Sequence, residues 1–112
     1  MAAIVIHGGA GRIRAADREA YRSGLERARD AGYRALREGR GAVAAVLEAV
    51  TAMEDDPLAF NAGTGGALTR DGTVECDAAV MSSDGSSGAV ATITRAKNPV
   101  LIAERVRTAT PH

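Results

Sequence analysis

The chain has 112 residues, with 14 basic and 14 acidic side chains and a formal net charge of zero. Its length fits one small domain, and its 46% of hydrophobic residues is typical of a globular rather than a disordered protein. A neutral chain lacks the basic field that attracts nucleic acid, and no apolar stretch is long enough to span a bilayer, so we expect neither nucleic-acid nor membrane binding.

The first predicted element is a short buried strand at residues 2–6, where Val5 and two isoleucines form an apolar run. The glycine-rich segment 7–11 follows, and its glycines would let backbone N–H groups approach an anion or a carbonyl oxygen. An oxyanion loop, a phosphate loop and a tight turn without chemistry all remain open. No Lys-Ser/Thr pair follows for phosphate, and residues 85–88 have the wrong spacing for an esterase elbow. We expect His7 to be a hydrogen-bonded core histidine.

Two helices are predicted next, over residues 17–38 and 42–55. The first has a narrow face of small and apolar residues at spacings of three and four: Tyr21, Leu25, Ala28, Gly32 and Leu36. A face this thin allows close helix packing, and Gly39 stands where a helix C-cap is expected. The second helix has a predicted buried stripe of larger side chains: Val43, Val46, Leu47, Val50 and Met53.

The second helix ends in three consecutive acids, Glu54, Asp55 and Asp56, before Pro57. Acids are unfavourable at the C-terminal end of a helix dipole, so this end requires a compensating partner such as a cation. The spacing is not that of an EF-hand loop. A solvated helix end and a loop curled around a cation by its carbonyl oxygens both remain open.

Three strands and a helix are predicted in the second half of the chain. Strands 67–70 and 73–81 flank Asp71-Gly72, a strong hairpin signal, and a third strand covers residues 88–94. Asn98 is expected to cap a helix over residues 100–108 that has Pro99 at its first position. Asp77 lies within a strand of small residues, where we expect a buried structural anchor rather than a site residue.

This element order predicts an α+β fold with one helical layer against an antiparallel sheet. The opposite face of the sheet is small or apolar and has no partner layer in the sequence. We therefore expect residues 1–112 to form a single incomplete domain. The lone cysteine, Cys76, and the absence of a secretory signal favour a reducing compartment and a cytoplasmic location.

Taken in order, five segments resemble the plant-type L-asparaginase/isoaspartyl peptidase family of N-terminal-nucleophile hydrolases. Each segment is weak evidence alone, but all five follow the family's order and spacing along essentially the whole chain. They are residues 4–11 (IVIHGGAG), 55–63 (DDPLAFNAG), 68–81 (LTRDGTVECDAAVM), 87–90 (SGAV) and 98–101 (NPVL).

The resemblance implies half of an α-β-β-α layered sandwich, corresponding to the front of the family's α-subunit. Family members cleave themselves before a threonine, whose freed hydroxyl is the nucleophile and whose α-amino group is the base. They hydrolyse L-asparagine and β-aspartyl dipeptides. That threonine belongs to the later β-subunit, so we expect no catalytic nucleophile here and an inactive fragment. The expected partners are a β-subunit from the same precursor and, in the complete enzyme, a second αβ unit. The alternative is an inactive orphan remnant that at most pairs with another subunit.

The resemblance also implies site residues. Gly9 resembles the loop that borders the active site, and Asn61 resembles an asparagine close to the nucleophile. No cofactor is expected for catalysis. The segment 53–64 resembles a sodium-binding loop, in which Ala59 is an additional residue before Phe60. Six main-chain carbonyls are its expected sodium ligands: Met53, Glu54, Asp56, Phe60, Ala62 and Thr64.

Overall fold

The computed structural model describes residues 1–110 and contains three helices and two strands. In chain order these are α1 (Arg18–Arg37), α2 (Gly41–Glu54), β1 (Cys76–Met81), β2 (Ser87–Ile93) and α3 (Pro99–Ala109). Short 3-10 turns precede α1 at Ala15–Asp17 and follow α2 at Gly63–Gly65. This is an α+β arrangement that fits half of a layered sandwich. Within residues 1–110, no helix has the length and apolarity needed to cross a membrane.

The two long helices form as predicted and pack through small residues. The buried residues of α1 are Gly24, Ala28, Ala31, Gly32 and Ala35. A Cβ on Gly32 would lie 2.8 Å from the carbonyl oxygen of Ala45, so the two backbones approach closely. The predicted buried stripe of larger side chains in α2 is wrong about which residues make the contact with α1. Ala45 and Ala49 form the buried contact, whereas Val46 is 40% exposed. Close approach selects the smallest side chains for the contact.

The predicted C-cap of α1 is confirmed at Gly39. This residue has a φ of 73°, which favours glycine. Its N–H donates to the carbonyl oxygen of Leu36, and the next N–H, from Arg40, donates to that of Ala35. These two bonds form a Schellman motif, which ends α1 and turns the chain directly into α2.

The sheet is a two-stranded antiparallel hairpin, with Ala79 opposite Ala89 and Val80 opposite Gly88. Helix α3 covers one face of it. A Cβ on Gly88 would lie 2.1 Å from the carbonyl oxygen of Ala103 and 2.4 Å from the amide nitrogen of Arg107. Glycine at this position therefore allows α3 to lie directly on β2.

The predicted hairpin before β1 is mostly wrong. Residues 67–70 form no strand, and only an isolated bridge joins Leu68 to Val74. The turn itself is present, because Gly72 has a φ of 77° and the Thr69 N–H donates to the carbonyl oxygen of Thr73. The predicted turn is therefore present, but the residues on either side of it do not pair as two strands.

The predicted strand at residues 2–6 is also absent. Ile4 and Ile6 are half-buried, and Val5 is 93% exposed. The alternation expected of a strand is therefore present, and Ile4 lies against Gly32 of α1. A strand also needs a hydrogen-bonded neighbour, and none pairs with residues 2–6 in the described part of the chain.

Asp77 is exposed rather than buried, which corrects the sequence prediction. Its Oδ1 accepts a hydrogen bond of 2.8 Å from the Thr92 N–H, beside an irregularity in the β1–β2 register. Thr92 has a φ of 55°, an unusual value for a residue with a Cβ. Asp77 thus links the two strands where their regular pairing breaks. On the same face, Ala79 and Met81 are exposed.

Candidate active-site cavity and acidic loop

The glycine-rich segment after residue 7 forms one wall of a cavity of about 260 Å³. Gly9 and Asn61, the two residues expected beside an active site, both line it. They are far apart in sequence, and the fold brings them together. The remaining lining residues are Gly8, Ala10, Gly11, Arg12, Ile13 and Tyr21. The cavity therefore combines backbone amides, one carboxamide, one guanidinium and one phenol.

Two backbone features shape the glycine wall. Gly9 has a φ of 113°, a conformation that favours glycine, and its N–H donates to Nδ1 of His7 over 3.3 Å. His7 is exposed, so the expected core histidine is wrong, although the expected hydrogen bond is present. The exposed imidazole helps to fix the bend that begins the glycine segment.

The three acids at the end of α2, Glu54, Asp55 and Asp56, each have protein partners. Oε1 of Glu54 accepts a hydrogen bond of 2.9 Å from the Val100 N–H, in the first turn of α3. Asp55 accepts hydrogen bonds from Lys97 and from the Asn98 side chain. The unfavourable helix end is thus compensated partly by the opposite end of another helix dipole.

The cap of α3 differs from the sequence prediction. Asn98 occupies the N-cap position and Pro99 the next one, as expected, but the Asn98 side chain makes no cap hydrogen bond. It donates instead to Asp55, and Glu54 supplies the cap from α2. A carboxylate accepts a hydrogen bond more strongly than a neutral group does, so the charged acceptors take both roles.

The protonation equilibria of the acids differ according to their surroundings. Burial raises the pKa of Glu54, which is only 3% exposed, and its bond from Val100 offsets this in part. Hydrogen bonds from Asn98 and Lys97 lower the pKa of Asp55. Burial alone would raise the pKa of Asp56, but bonds from the Leu58 N–H and Arg27 outweigh it and the pKa is lowered.

Three carbonyl oxygens of the expected cation loop lie beside the turn Gly63–Gly65. A Cβ on Gly65 would lie 2.2 Å from the Phe60 oxygen and 3.1 Å from the Asp56 oxygen. A Cβ on Gly63 would lie 2.4 Å from the Glu54 oxygen. Three of the six expected carbonyls therefore lie beside one turn, and carbonyl oxygens are hard donors. This donor chemistry suits the expected sodium ion.

Two other carbonyls of that set already accept hydrogen bonds. The Met53 oxygen accepts from the Asp56 N–H and the Ala62 oxygen from the Gly65 N–H, while Thr64 is exposed. Each carbonyl oxygen retains a second lone pair. Within residues 1–110, no cluster of three or more His, Cys, Asp or Glu side chains could hold a metal ion. Any cation here would depend mainly on the main chain.

Ala59, which the resemblance implies is an additional residue, is buried within the loop. It is 2% exposed, and its N–H donates to Oδ1 of Asp56 over 3.2 Å. A Cβ on Gly24 of α1 would lie 2.9 Å from the Ala59 methyl carbon. Ala59 therefore belongs to a buried turn that packs on α1.

Sequence reasoning missed Arg12 and Tyr21 as cavity residues and Arg27 as a partner of Asp56. One available signal was Gly24, a small residue on the α1 face between Tyr21 and Arg27. A gap of this kind marks a place where another segment can approach a helix. Nothing in the sequence indicated which segment occupies it.

Comparison with known proteins places these features in a family context. A family model described as asparaginase matches residues 1–112. The plant-type L-asparaginase of Thermococcus kodakarensis is 50% identical over 114 residues, covering 100% of this chain and 37% of that protein. The isoaspartyl peptidase/L-asparaginase of Homo sapiens is 47% identical over 111 residues, covering 97% and 36%. The chain thus spans little more than a third of the length of these relatives.

Proposed function

Since the chain belongs to the asparaginase family, we propose that it forms the front part of an isoaspartyl peptidase/L-asparaginase. The proposed reaction of the complete protein is hydrolysis of L-asparagine and β-aspartyl dipeptides to aspartate and ammonia or an amino acid. The observation that carries the proposal is the cavity that Gly9 and Asn61 both line.

In the proposed mechanism, the nucleophile is a threonine of the part that follows this chain in the relatives. Its hydroxyl oxygen attacks the side-chain amide carbon while its own α-amino group takes the proton. The amine then leaves with a proton, and water hydrolyses the resulting ester to release aspartate. The threonine hydroxyl and amino group are regenerated.

The contribution of this chain is to shape one wall of that site. Gly9 carries no Cβ, so the backbone can approach a reacting group closely. The Asn61 carboxamide can donate and accept at once, which suits a group that orients the nucleophile. Because the proposed nucleophile belongs to the part that follows in the relatives, the chain alone is proposed to be inactive.

The proposal extends to three surrounding features. A sodium ion held by the six expected main-chain carbonyls would stabilise the loop that contains Asn61. The uncovered sheet face around Met81 would pack against the β-subunit, and two αβ units would form a cytoplasmic dimer. These features follow from the family resemblance and are consistent with the oxygen-rich loop and the exposed apolar face.

A chimera tests the proposal. This chain is fused to the remaining C-terminal portion of the Thermococcus kodakarensis relative, and ammonia release from L-asparagine and amino-acid release from β-aspartyl dipeptides are measured. We expect self-cleavage and hydrolysis by the chimera and no hydrolysis by the 112-residue chain. Hydrolysis by the purified 112-residue chain would show that the nucleophile lies within it. Failure of several such chimeras with different family members would overturn the proposal.

A non-catalytic pairing subunit is the second candidate, and the exposed apolar face that includes Met81 favours it. Sequencing the coding region downstream of residue 112 separates the two. An in-frame continuation resembling the family's C-terminal portion supports the enzyme. A stop codon, together with a stable complex between this chain and another subunit, supports the pairing role.

A further inference from the structure

The acidic loop is tied to α1 by one side chain that serves three donors. Asp56 is 7% exposed and accepts from the Leu58 N–H over 2.9 Å and the Ala59 N–H over 3.2 Å at Oδ1. Its other oxygen, Oδ2, accepts from Arg27 of α1 over 2.5 Å. The same carboxylate therefore folds the turn after Pro57 and attaches that turn to α1.

The attached turn places Phe60 against two residues that line the cavity, Tyr21 and Gly8. Phe60 is 6% exposed, and its ring meets that of Tyr21 edge-to-face, with centroids 5.8 Å apart and an angle of 72°. A Cβ on Gly24 would lie 2.8 Å from the Phe60 ring and 3.0 Å from Oδ2 of Asp56. The side chains of Asp56 and Phe60, which begin and end this turn, therefore both pack against α1 at Gly24.

Phe60 contacts the glycine wall at Gly8 and also contacts Tyr21, which lines the cavity. A Cβ on Gly8 would lie 3.0 Å from the Phe60 ring, so the ring supports the start of the glycine segment. Tyr21 lines the cavity itself, and Asn61 follows Phe60 directly in the chain. A displacement of Phe60 would therefore move Asn61 and the glycine wall together.

We propose that Asp56, paired with Arg27, is a positioning residue that sets the geometry of Asn61 and the glycine wall without touching the substrate. The catalytic part of this inference rests on the proposed function, whereas the structural part does not.

The matched control is the neighbouring acid. Asp55 also carries two side-chain hydrogen bonds, but it is exposed and its partners, Lys97 and Asn98, lie towards α3 and away from Phe60. Asp56→Ala, Asp56→Asn and Asp55→Ala are introduced into the active chimera and assayed at one fixed sodium concentration. Asp56→Asn keeps an oxygen that can accept from the Leu58 and Ala59 N–H groups.

The expected kinetic result is a selective loss of turnover. In Asp56→Ala we expect kcat to fall by about tenfold to a hundredfold with a smaller change in KM, since displacements of about 1 Å have effects of that size. Asp56→Asn should recover only part of the loss, because its amide NH2 cannot accept from Arg27. Asp55→Ala should remain within about twofold of the parent. All assays are run well below the melting temperature measured for each variant. Equal kcat values for Asp56→Ala and Asp55→Ala would overturn the catalytic role.

Hydrogen exchange followed by mass spectrometry provides a readout that needs no activity. We expect faster exchange over residues 58–61 in Asp56→Ala and unchanged exchange there in Asp55→Ala. Unchanged exchange in both variants would overturn the positioning of the loop. An inactive parent chimera with faster exchange in Asp56→Ala would contradict the proposed function and the catalytic role that depends on it, and would support the structural role.

Discussion

Two regions differ in how far this chain supplies contacts for their side chains. One is the junction between α2 and α3, and the other is the outer face of the β1–β2 hairpin. At the junction, Glu54 and Asp55 both find donors on residues near the start of α3. On the hairpin, Met81 is 70% exposed, and no described segment covers the face that it shares with Ala79. At the junction the chain supplies donors to both acids, although Oε2 of Glu54 is buried without a hydrogen-bond partner within residues 1–110. On the hairpin, the described residues leave apolar area exposed.

The largest effect on stability is expected at Gly88 of β2, on the face of the hairpin that α3 covers. In Gly88→Ala, the new methyl would collide with the backbone of α3, which cannot rotate away as a side chain can. We expect a loss of about 3 kcal/mol in the free energy of unfolding, measured by urea denaturation. Gly72→Ala is the control, since its Cβ meets nothing within 4 Å and only its positive φ is strained, costing about 1 kcal/mol. Equal losses would contradict direct contact between α3 and β2.

The next largest effect is expected at Glu54. Glu54→Ala leaves the buried Val100 N–H without its acceptor, and we expect a loss of about 2 kcal/mol in the free energy of unfolding. Glu54→Gln keeps an acceptor and removes the buried charge, so it should be close to neutral at pH 7. If both variants lose stability equally, the cap is not the reason for the loss.

The pH dependence of these variants isolates the Glu54 carboxyl. Its pKa is raised on folding, so its contribution is fully present below the unfolded pKa and is lost as pH rises through the folded pKa. The parent chain should therefore gain stability relative to Glu54→Gln as the solution is acidified from neutral pH. Denaturation curves at several pH values check this, and a difference that is constant with pH would contradict the raised pKa.

A smaller effect is expected for Lys97→Ala. The Lys97 side chain is 71% exposed, so its ion pair with Asp55 is screened by solvent. We expect a loss of about 0.5 kcal/mol or less in unfolding free energy, decreasing further in 1 M salt. A loss as large as that of Glu54→Ala would show that this pair, and not the Glu54 cap, holds the junction.

The smallest effect on stability, and the clearest test of the uncovered face, is expected for Met81→Lys. Because this side chain is already exposed, the free energy of unfolding should change by less than about 0.5 kcal/mol. Self-association of the 112-residue chain, measured by analytical ultracentrifugation, should decrease. A parent chain that is monodisperse and monomeric at all concentrations would contradict an unsatisfied sheet face.

The helices could be predicted because their signals are local. Gly39 and Pro99 mark ends, and small residues three and four positions apart mark the face of α1. The strands at residues 2–6 and 67–70 could not be judged in the same way. A strand depends on a neighbour, and the alternation of Ile4, Val5 and Ile6 contains no information on whether one is present.

The candidate site was predictable only in part. Residue chemistry alone left the glycine segment open among three interpretations, and the family resemblance selected Gly9 and Asn61. The Asp56–Arg27 pair joins residues 29 positions apart, and no periodicity links them. Asn98 does occupy the predicted N-cap position, but its side chain donates to Asp55 instead of capping the helix. Asp55 lies 43 positions away, so the local sequence does not indicate this contact.

The Glu54–Val100 hydrogen bond spans 46 positions, and this separation has a consequence for the order of folding. Contacts between α1 and α2 lie close in sequence and can form as soon as residues 18–54 have been synthesised. The bond to α3 must wait until the intervening residues have left the ribosome and the large loop has closed. During that interval, Glu54 and Asp55 lack the donors that residues 97–100 supply, whereas Asp56 can already pair with Arg27 of α1.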